Sequence, residues 1–235
     1  MAGLSYEELI RMVQVFASSD AERVEITGGE PLLFESLPAL VSDLKNRHGI
    51  KKVYVTTNGL LLPEKAALLK AAGIDGINVH LDTTDAGQYT TLTGLQSMLN
   101  QVLTGLWMAM GQGIPVTLTS VVTPVSRDGI PVIAGMAKQM PLTIRFVTGC
   151  GRNSSERVVQ EAEAIEDVLT KLHPIIGNIV PGEDGILKPQ GWRGCITFGS
   201  GISGAFDMED ALLLAAEVQQ KHRKEAEYGT GIESV

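Results

Sequence analysis

The residues best suited to chemistry lie in three short runs: Thr27-Gly28-Gly29-Glu30-Pro31, Thr56-Thr57-Asn58-Gly59 and His80-Leu81-Asp82. Each follows or closes a short β-branched or aliphatic stretch. Gly28 and Gly29 can take positive φ and leave no side chain between their backbone N–H groups and a ligand. Glu30 adds one acceptor, while Pro31 removes a donor and stiffens the exit from the turn. Such a turn suits the ammonium group of an amino acid. Taken singly, the pieces are ordinary: a Gly pair makes a tight turn, Asn58-Gly59 makes another, and Asp82 could cap a following helix.

What makes them a set is the order of elements that carries them. Ser5 with Glu8 forms a capping box, and Leu9, Ile10, Met12, Val13 and Phe16 recur at helical spacing, so a first helix ends near Ser18-Ser19. Strands are expected at Val24 to Thr27, Lys52 to Thr56, Ile77 to Leu81, Val116 to Val122 and Leu142 to Val147, with a sixth at Arg193 to Phe198. Between them helices are expected at Leu37 to Arg47, Pro63 to Ala72, Gln96 to Met110 and Ile130 to Gln139. This alternation implies right-handed βαβ crossovers and a parallel sheet. An open doubly wound sheet and a closed or partly closed barrel both fit the pattern. In either, ligands sit at the carboxyl ends of the strands, where the three runs fall.

Later in the chain the pattern loosens. Gly149 to Ser155 reads as a loop, Glu156 to Leu172 as an acidic amphipathic helix, and Pro174 to Gly194 as Gly/Pro-rich with little periodicity. A last helix is expected from about Asp207, ending in the basic run Lys221-His222-Arg223-Lys224.

Composition narrows the function. With 235 residues, 44% hydrophobic and 20% charged, the chain can bury a full core. Its net charge of -8 provides no field to attract phosphate backbones or anionic lipid, which argues against nucleic acid as a partner. The N-terminus has no basic and apolar leader, and no later apolar run approaches the roughly 18 residues that span a bilayer. A cytoplasmic protein with no membrane partner is the expectation. Cys150 and Cys195 are the only cysteines, too few for a disulfide framework or a multi-cysteine metal cage built from this chain alone.

The ordered set ITGGEPLL, TTNGLLL and INVHLDTTD, followed by Leu92-Thr93-Gly94, Gly113-Ile114-Pro115-Val116 and Ser120-Val121-Val122, resembles the radical S-adenosylmethionine (SAM) enzymes. More narrowly it resembles the MoaA family of GTP cyclases that begin molybdenum-cofactor synthesis. The resemblance covers about residues 5 to 150 well and 190 to 206 faintly. It implies an α/β fold of the partial (β/α) TIM-type barrel kind, with residues 1–150 forming a radical-SAM-like partial barrel. Residues 151–235 would then be its C-terminal remainder plus a terminal helix, within one continuous domain.

The resemblance also implies that Gly28, Gly29, Glu30 and Pro31 contact the SAM amino group, Glu30 being the natural acceptor. Thr56 matches a family position near SAM. His80 falls where the family has the serine of its VSLD motif, and Asn58 and Asp82 complete the rim. In the family a three-cysteine loop binds a [4Fe-4S] cluster that reduces SAM to a radical, and a second cluster, held by C-terminal cysteines, holds the substrate.

The departures are specific. The family's cysteine loop and first strand would precede Met1. GCITFGSGISGAF resembles the segment leading into the C-terminal cysteines, yet it continues as Asp207-Met208-Glu209-Asp210, and Cys195 does not match. Where the family carries an arginine two residues before its TGG this chain has Glu25, and a family lysine falls at Thr117. Exchanging guanidinium for carboxylate weakens binding of a nucleotide triphosphate.

Two readings follow. One is a lyase-type GTP cyclase relative that is inactive as written. The other is a degenerate, cluster-free paralogue that binds SAM or a nucleotide, or serves as an accessory subunit. The absent first strand leaves an open parallel edge for a partner protein or a second copy to cover. Of the other candidates, His48, His173 and His222 read as surface residues, and Trp107 to Met110 as core packing. Arg145 fits an internal ion pair or a ligand contact equally well.

Overall fold

The computed structural model describes residues 5–17, 22–148, 167–177 and 186–200. The chain forms two compact units, Met1–Thr119 and Ser120–Val235.

In the first unit the expected capping box opens helix α1 (Tyr6–Ala17). Ser5 N donates to a Glu8 carboxylate oxygen at 2.7 Å, and Glu8 N donates to Ser5 Oγ at 3.3 Å. Those two bonds, the backbone one first, hold the Glu8 carboxyl below the usual carboxylate range. The Tyr6 hydroxyl donates to Asp43 at 2.5 Å and so fastens α1 to helix α2 (Leu37–Asn46). Burial, and then that bond, push the Tyr6 phenol up.

Strands β1 (Arg23–Ile26), β2 (Lys52–Thr57), β3 (Gly76–His80) and β4 (Val116–Val121) pair in parallel in sequence order. The registers bring Ile26 beside Val55, Thr57 beside Val79 and His80 beside Thr119. Helices α2, α3 (Leu62–Ala71) and α5 (Leu99–Gly111) provide the apolar cover. Val53, Val55, Ile77, Val79 and Leu118 are buried with Leu40, Val41, Leu44, Ala66, Leu69, Val102, Leu106 and Ala109. At about 1.5–3 kcal/mol for each large aliphatic side chain, this layer dominates the stability of the unit.

The strands alternate, so their other face has a different character. Arg23, Glu25, Lys52 and His80 are exposed there, and Tyr54, Thr56, Asn78 and Thr117 are half-buried. Behind the strand starts, Asp75 ties three elements together: it accepts from Lys45 at 2.8 Å, from Val53 N at 2.8 Å and from Lys52 at 3.2 Å. Desolvation raises its pKa, but those bonds outweigh burial and hold the carboxyl below its ordinary value.

In this unit the strand and helix limits lie within three residues of the expected ones, with one omission. The stretch before α5 is not a simple connection: helix α4 (Ala86–Thr93) begins at Asp85, whose carboxylate accepts from Gln88 N at 2.7 Å. Asp85-x-x-Gln88 is itself a capping signal, masked by the surrounding threonines and glycines. Asp82 therefore does not cap this helix, and α5 starts at Leu99 rather than Gln96.

The second unit pairs β5 (Thr143–Thr148) with β6 (Cys195–Ser200) in parallel, Phe146 beside Phe198. Helix α6 occupies the expected span, Ile130–Gln139. Residues 167–176 are helical, so the helix expected to stop at Leu172 runs past Pro174. Arg127 pairs with Asp167 at 2.9 Å and Lys171 with Asp128 at 3.0 Å, joining this helix to the start of α6. Residues 149–166 and the helix expected from Asp207 lie outside the described residues.

Candidate functional site

Why β1 ends on Gly-Gly-Glu-Pro is answered by Glu30. Its side chain caps a 3-10 turn, Pro31–Leu33, by accepting from Leu32 N at 3.0 Å. The same oxygen accepts from the Thr57 hydroxyl at 2.6 Å, and the other accepts from Asn58 N at 2.9 Å. One carboxylate therefore fixes the turn after β1 to the carboxyl end of β2. With three protein donors already on a group that has about four acceptor sites, Glu30 has little capacity left for a ligand.

Before it, Gly28 has φ +116° and a Cβ built on Gly28 or Gly29 meets nothing within 4 Å. The backbone there is open, and only glycine holds Gly28's conformation without strain.

The second turn is rigid for a different reason. Asn58 Oδ1 accepts from Leu60 N at 3.0 Å, and Thr57 Oγ1 accepts from Gly59 N at 3.1 Å. Gly59 has φ +82°, and Gly105 of α5 lies so close that a Cβ on it would sit 2.7 Å from the Gly59 carbonyl oxygen. The turn at the end of β2 is thus clamped against a helix.

His80 ends β3 with its ring exposed, and Asp82 is half-buried two residues on. With Asn58, Thr83, Tyr89 and Leu92 they line a cavity of about 240 Å³. Tyr89 is 5% exposed, and burial pushes its phenol up. Thr56 is turned to the polar sheet face, where its hydroxyl donates to Glu25 at 2.6 Å. Beside it Thr119 donates to Asn78 at 2.8 Å, and the Arg23 guanidinium lies 4.3 Å from the Tyr54 ring centroid.

Of the residues singled out from sequence, the structure therefore joins Glu30 directly to the Thr57-Asn58 turn and places Asn58, His80 and Asp82 around one cavity. Thr56 belongs instead with Glu25. Sequence reasoning passed over Tyr89 and gave Thr57 no role of its own within its turn; the strict alternation of KVYVTT, which places Thr57 on the buried face, was the available signal.

Among the described residues no group of three or more His, Cys, Asp or Glu side chains is placed to hold a metal ion. Cys195 lies on β6 beside the Thr143 hydroxyl at 3.4 Å. These residues do not fit an iron–sulfur cluster. Among the described residues no helix is long and apolar enough to cross a membrane.

Comparison with known proteins adds a frame. The model of the Radical SAM superfamily matches residues 2–136. A GTP 3',8-cyclase of Heliobacterium modesticaldum is 38% identical over 146 residues, covering 61% of this chain and 44% of that protein. The GTP 3',8-cyclase of Pelotomaculum thermopropionicum is 32% identical over 192 residues, covering 79% and 59%. The chain spans about half the length of these curated relatives. Among solved structures, Streptococcus suis SuiB bound to S-adenosylmethionine superposes with a TM-score of 0.61 at 13% identity, covering 89% of this chain and 48% of SuiB. The likeness in fold, with the parallel strands alternating with helices, bears out the α/β partial-barrel class.

Proposed function

The chain belongs to the radical SAM superfamily, and on that premise we propose that it binds SAM at the carboxyl rim of β1–β3, as a MoaA-like protein related to molybdenum-cofactor synthesis. The observation that supports this most is the open Gly28-Gly29 backbone, held in place because Glu30 is bonded to Thr57 and Asn58. A zwitterionic amino-acid group can lie against such a backbone without meeting a side chain. In this reading Gly28, Gly29 and Pro31 shape the seat. Glu30 holds it rigid, with its remaining acceptor capacity toward the ammonium, and Asn58, His80 and Asp82 border the adjoining cavity. Thr56 acts through Glu25 on the sheet face.

In the family, SAM would accept one electron from an iron–sulfur cluster, a C–S bond of its sulfonium breaking to release methionine and a carbon radical. The described residues of this chain include no ligand set for that cluster, so its own contribution is to bind and orient SAM. Glu25 favours a second reading, a cluster-free ligand-binding or accessory subunit, over the relatives' GTP cyclisation. A carboxylate on the polar sheet face is a poor neighbour for a triphosphate. Among the described residues β1 pairs with β2 alone, and Leu9, Met12, Val13, Leu40 and Ile50 line an apolar cavity of about 480 Å³ along it.

The test is anaerobic calorimetric titration of the purified chain with SAM, with iron assayed in the same sample. Saturable one-site binding without iron is expected. No heat of binding under any handling would remove the rim reading, and stoichiometric iron would remove the cluster-free one.

A further inference from the structure

The polar face of β1–β4 contains one carboxylate that the fold itself does not consume. Glu30 takes three protein hydrogen bonds, whereas among the described residues the exposed Glu25 takes one, from Thr56 at 2.6 Å. That bond orients the carboxylate and leaves most of its acceptor positions open. The two cations at the amino end of the same face are engaged: Arg23 lies over the Tyr54 ring, and Lys52 reaches Asp75. Toward the rim the face continues as Asn78, Thr117, Thr119 and His80.

We infer that Glu25 is the specificity residue of this face, and that it selects a ligand group carrying an amine or guanidinium while disfavouring a polyphosphate. The inference rests on the rim reading above, since the ligand it selects would lie beside SAM. The physics is a charge-assisted hydrogen bond from a cationic donor to an oriented carboxylate. For a triphosphate the same carboxylate is a repulsion, and among the described residues the cations on this face of β1–β4, Arg23 and Lys52, are already stacked on Tyr54 and paired with Asp75. Because Glu25 is exposed, solvent screens both effects, and each is expected to be about tenfold in affinity.

The experiment uses agmatine as the cationic probe and GTP as the polyanionic one, titrated at about 0.15 M salt to suppress nonspecific attraction to the acidic chain. Wild type binds agmatine, Glu25→Gln binds it at least about tenfold more weakly, and Glu25→Arg gains about tenfold for GTP. Far-UV melting curves confirm that each variant folds. Thr56→Val keeps the charge but frees the carboxylate, and weakens agmatine less than Glu25→Gln does.

Agmatine that fails to bind wild type, or binds Glu25→Gln equally well, overturns the inference. So does GTP binding wild type as tightly as Glu25→Arg, or a Thr56→Val loss equal to or larger than that of Glu25→Gln. SAM titrated into the same samples separates the two claims: its failure to bind wild type sinks the rim reading and leaves the agmatine–GTP comparison intact.

Discussion

Glu30 and Thr57, at the ends of neighbouring strands, share a 2.6 Å hydrogen bond from the threonine hydroxyl to the carboxylate, and the same carboxylate receives the Asn58 amide at 2.9 Å. The glutamate of the Gly-Gly-Glu-Pro turn is therefore a brace between two turns before it is anything else. Glu30→Ala leaves the Asn58 amide and the Thr57 hydroxyl without their acceptor. The expected cost is about 1–3 kcal/mol of unfolding free energy, measured by urea denaturation. SAM affinity falls with it, whereas a variant of normal stability that lost only SAM would show the brace to be unimportant.

Gly105→Ala sets two effects against each other. An alanine inside a helix normally gains about 1 kcal/mol over glycine. Here the added Cβ would lie 2.7 Å from the Gly59 carbonyl oxygen and 2.8 Å from the Leu62 Cβ, backbone and near-backbone atoms that cannot swing away. Overpacking of this kind costs about 1–3 kcal/mol, so a net loss is expected. Thermal melts showing a higher Tm would mean that α5 can shift away from the turn.

At Gly28 the opposite situation holds, because the space is empty and only the backbone angle is demanding. Gly28→Val is expected to cost about 1–3 kcal/mol through strain alone. It also places a branched side chain over the open backbone, so SAM binding should fall by more than that stability change accounts for.

Asp75 predicts a pH dependence. Its carboxyl is held below the ordinary value near 3.9 because the Lys45, Val53 and Lys52 hydrogen bonds outweigh desolvation. A depressed folded-state pKa gives stability that is fully present above the unfolded value and is lost as pH falls through the folded one. Unfolding free energy should thus decline from about pH 4 downward, and Asp75→Asn should flatten that decline while lowering stability at neutral pH. An identical acid profile in both proteins would contradict the assignment.

How far the sequence reached can be traced through these residues. The alternation of aliphatic strands with helices was legible, because period-2 and period-3.6 patterns are local, and Ile130–Gln139 was located to the residue. The rim residues were legible as turn chemistry after strands. Not legible was what each side chain does there: Glu30 looks the same in sequence whether it faces a ligand or bonds to Thr57, 27 positions away. The Glu25–Thr56 pair is likewise a product of register, which no local pattern specifies. Helix α4 was missed because threonine and glycine are weak helix formers, and its capping signal alone carried too little weight.

The central claim is that the Gly28–Glu30 turn is a SAM seat. It is tested most directly by titrating SAM into wild type and Gly28→Val side by side. One site is expected in wild type, with an affinity lower by about tenfold or more in the variant. Equal affinities in the two proteins, or no binding to wild type, would contradict it.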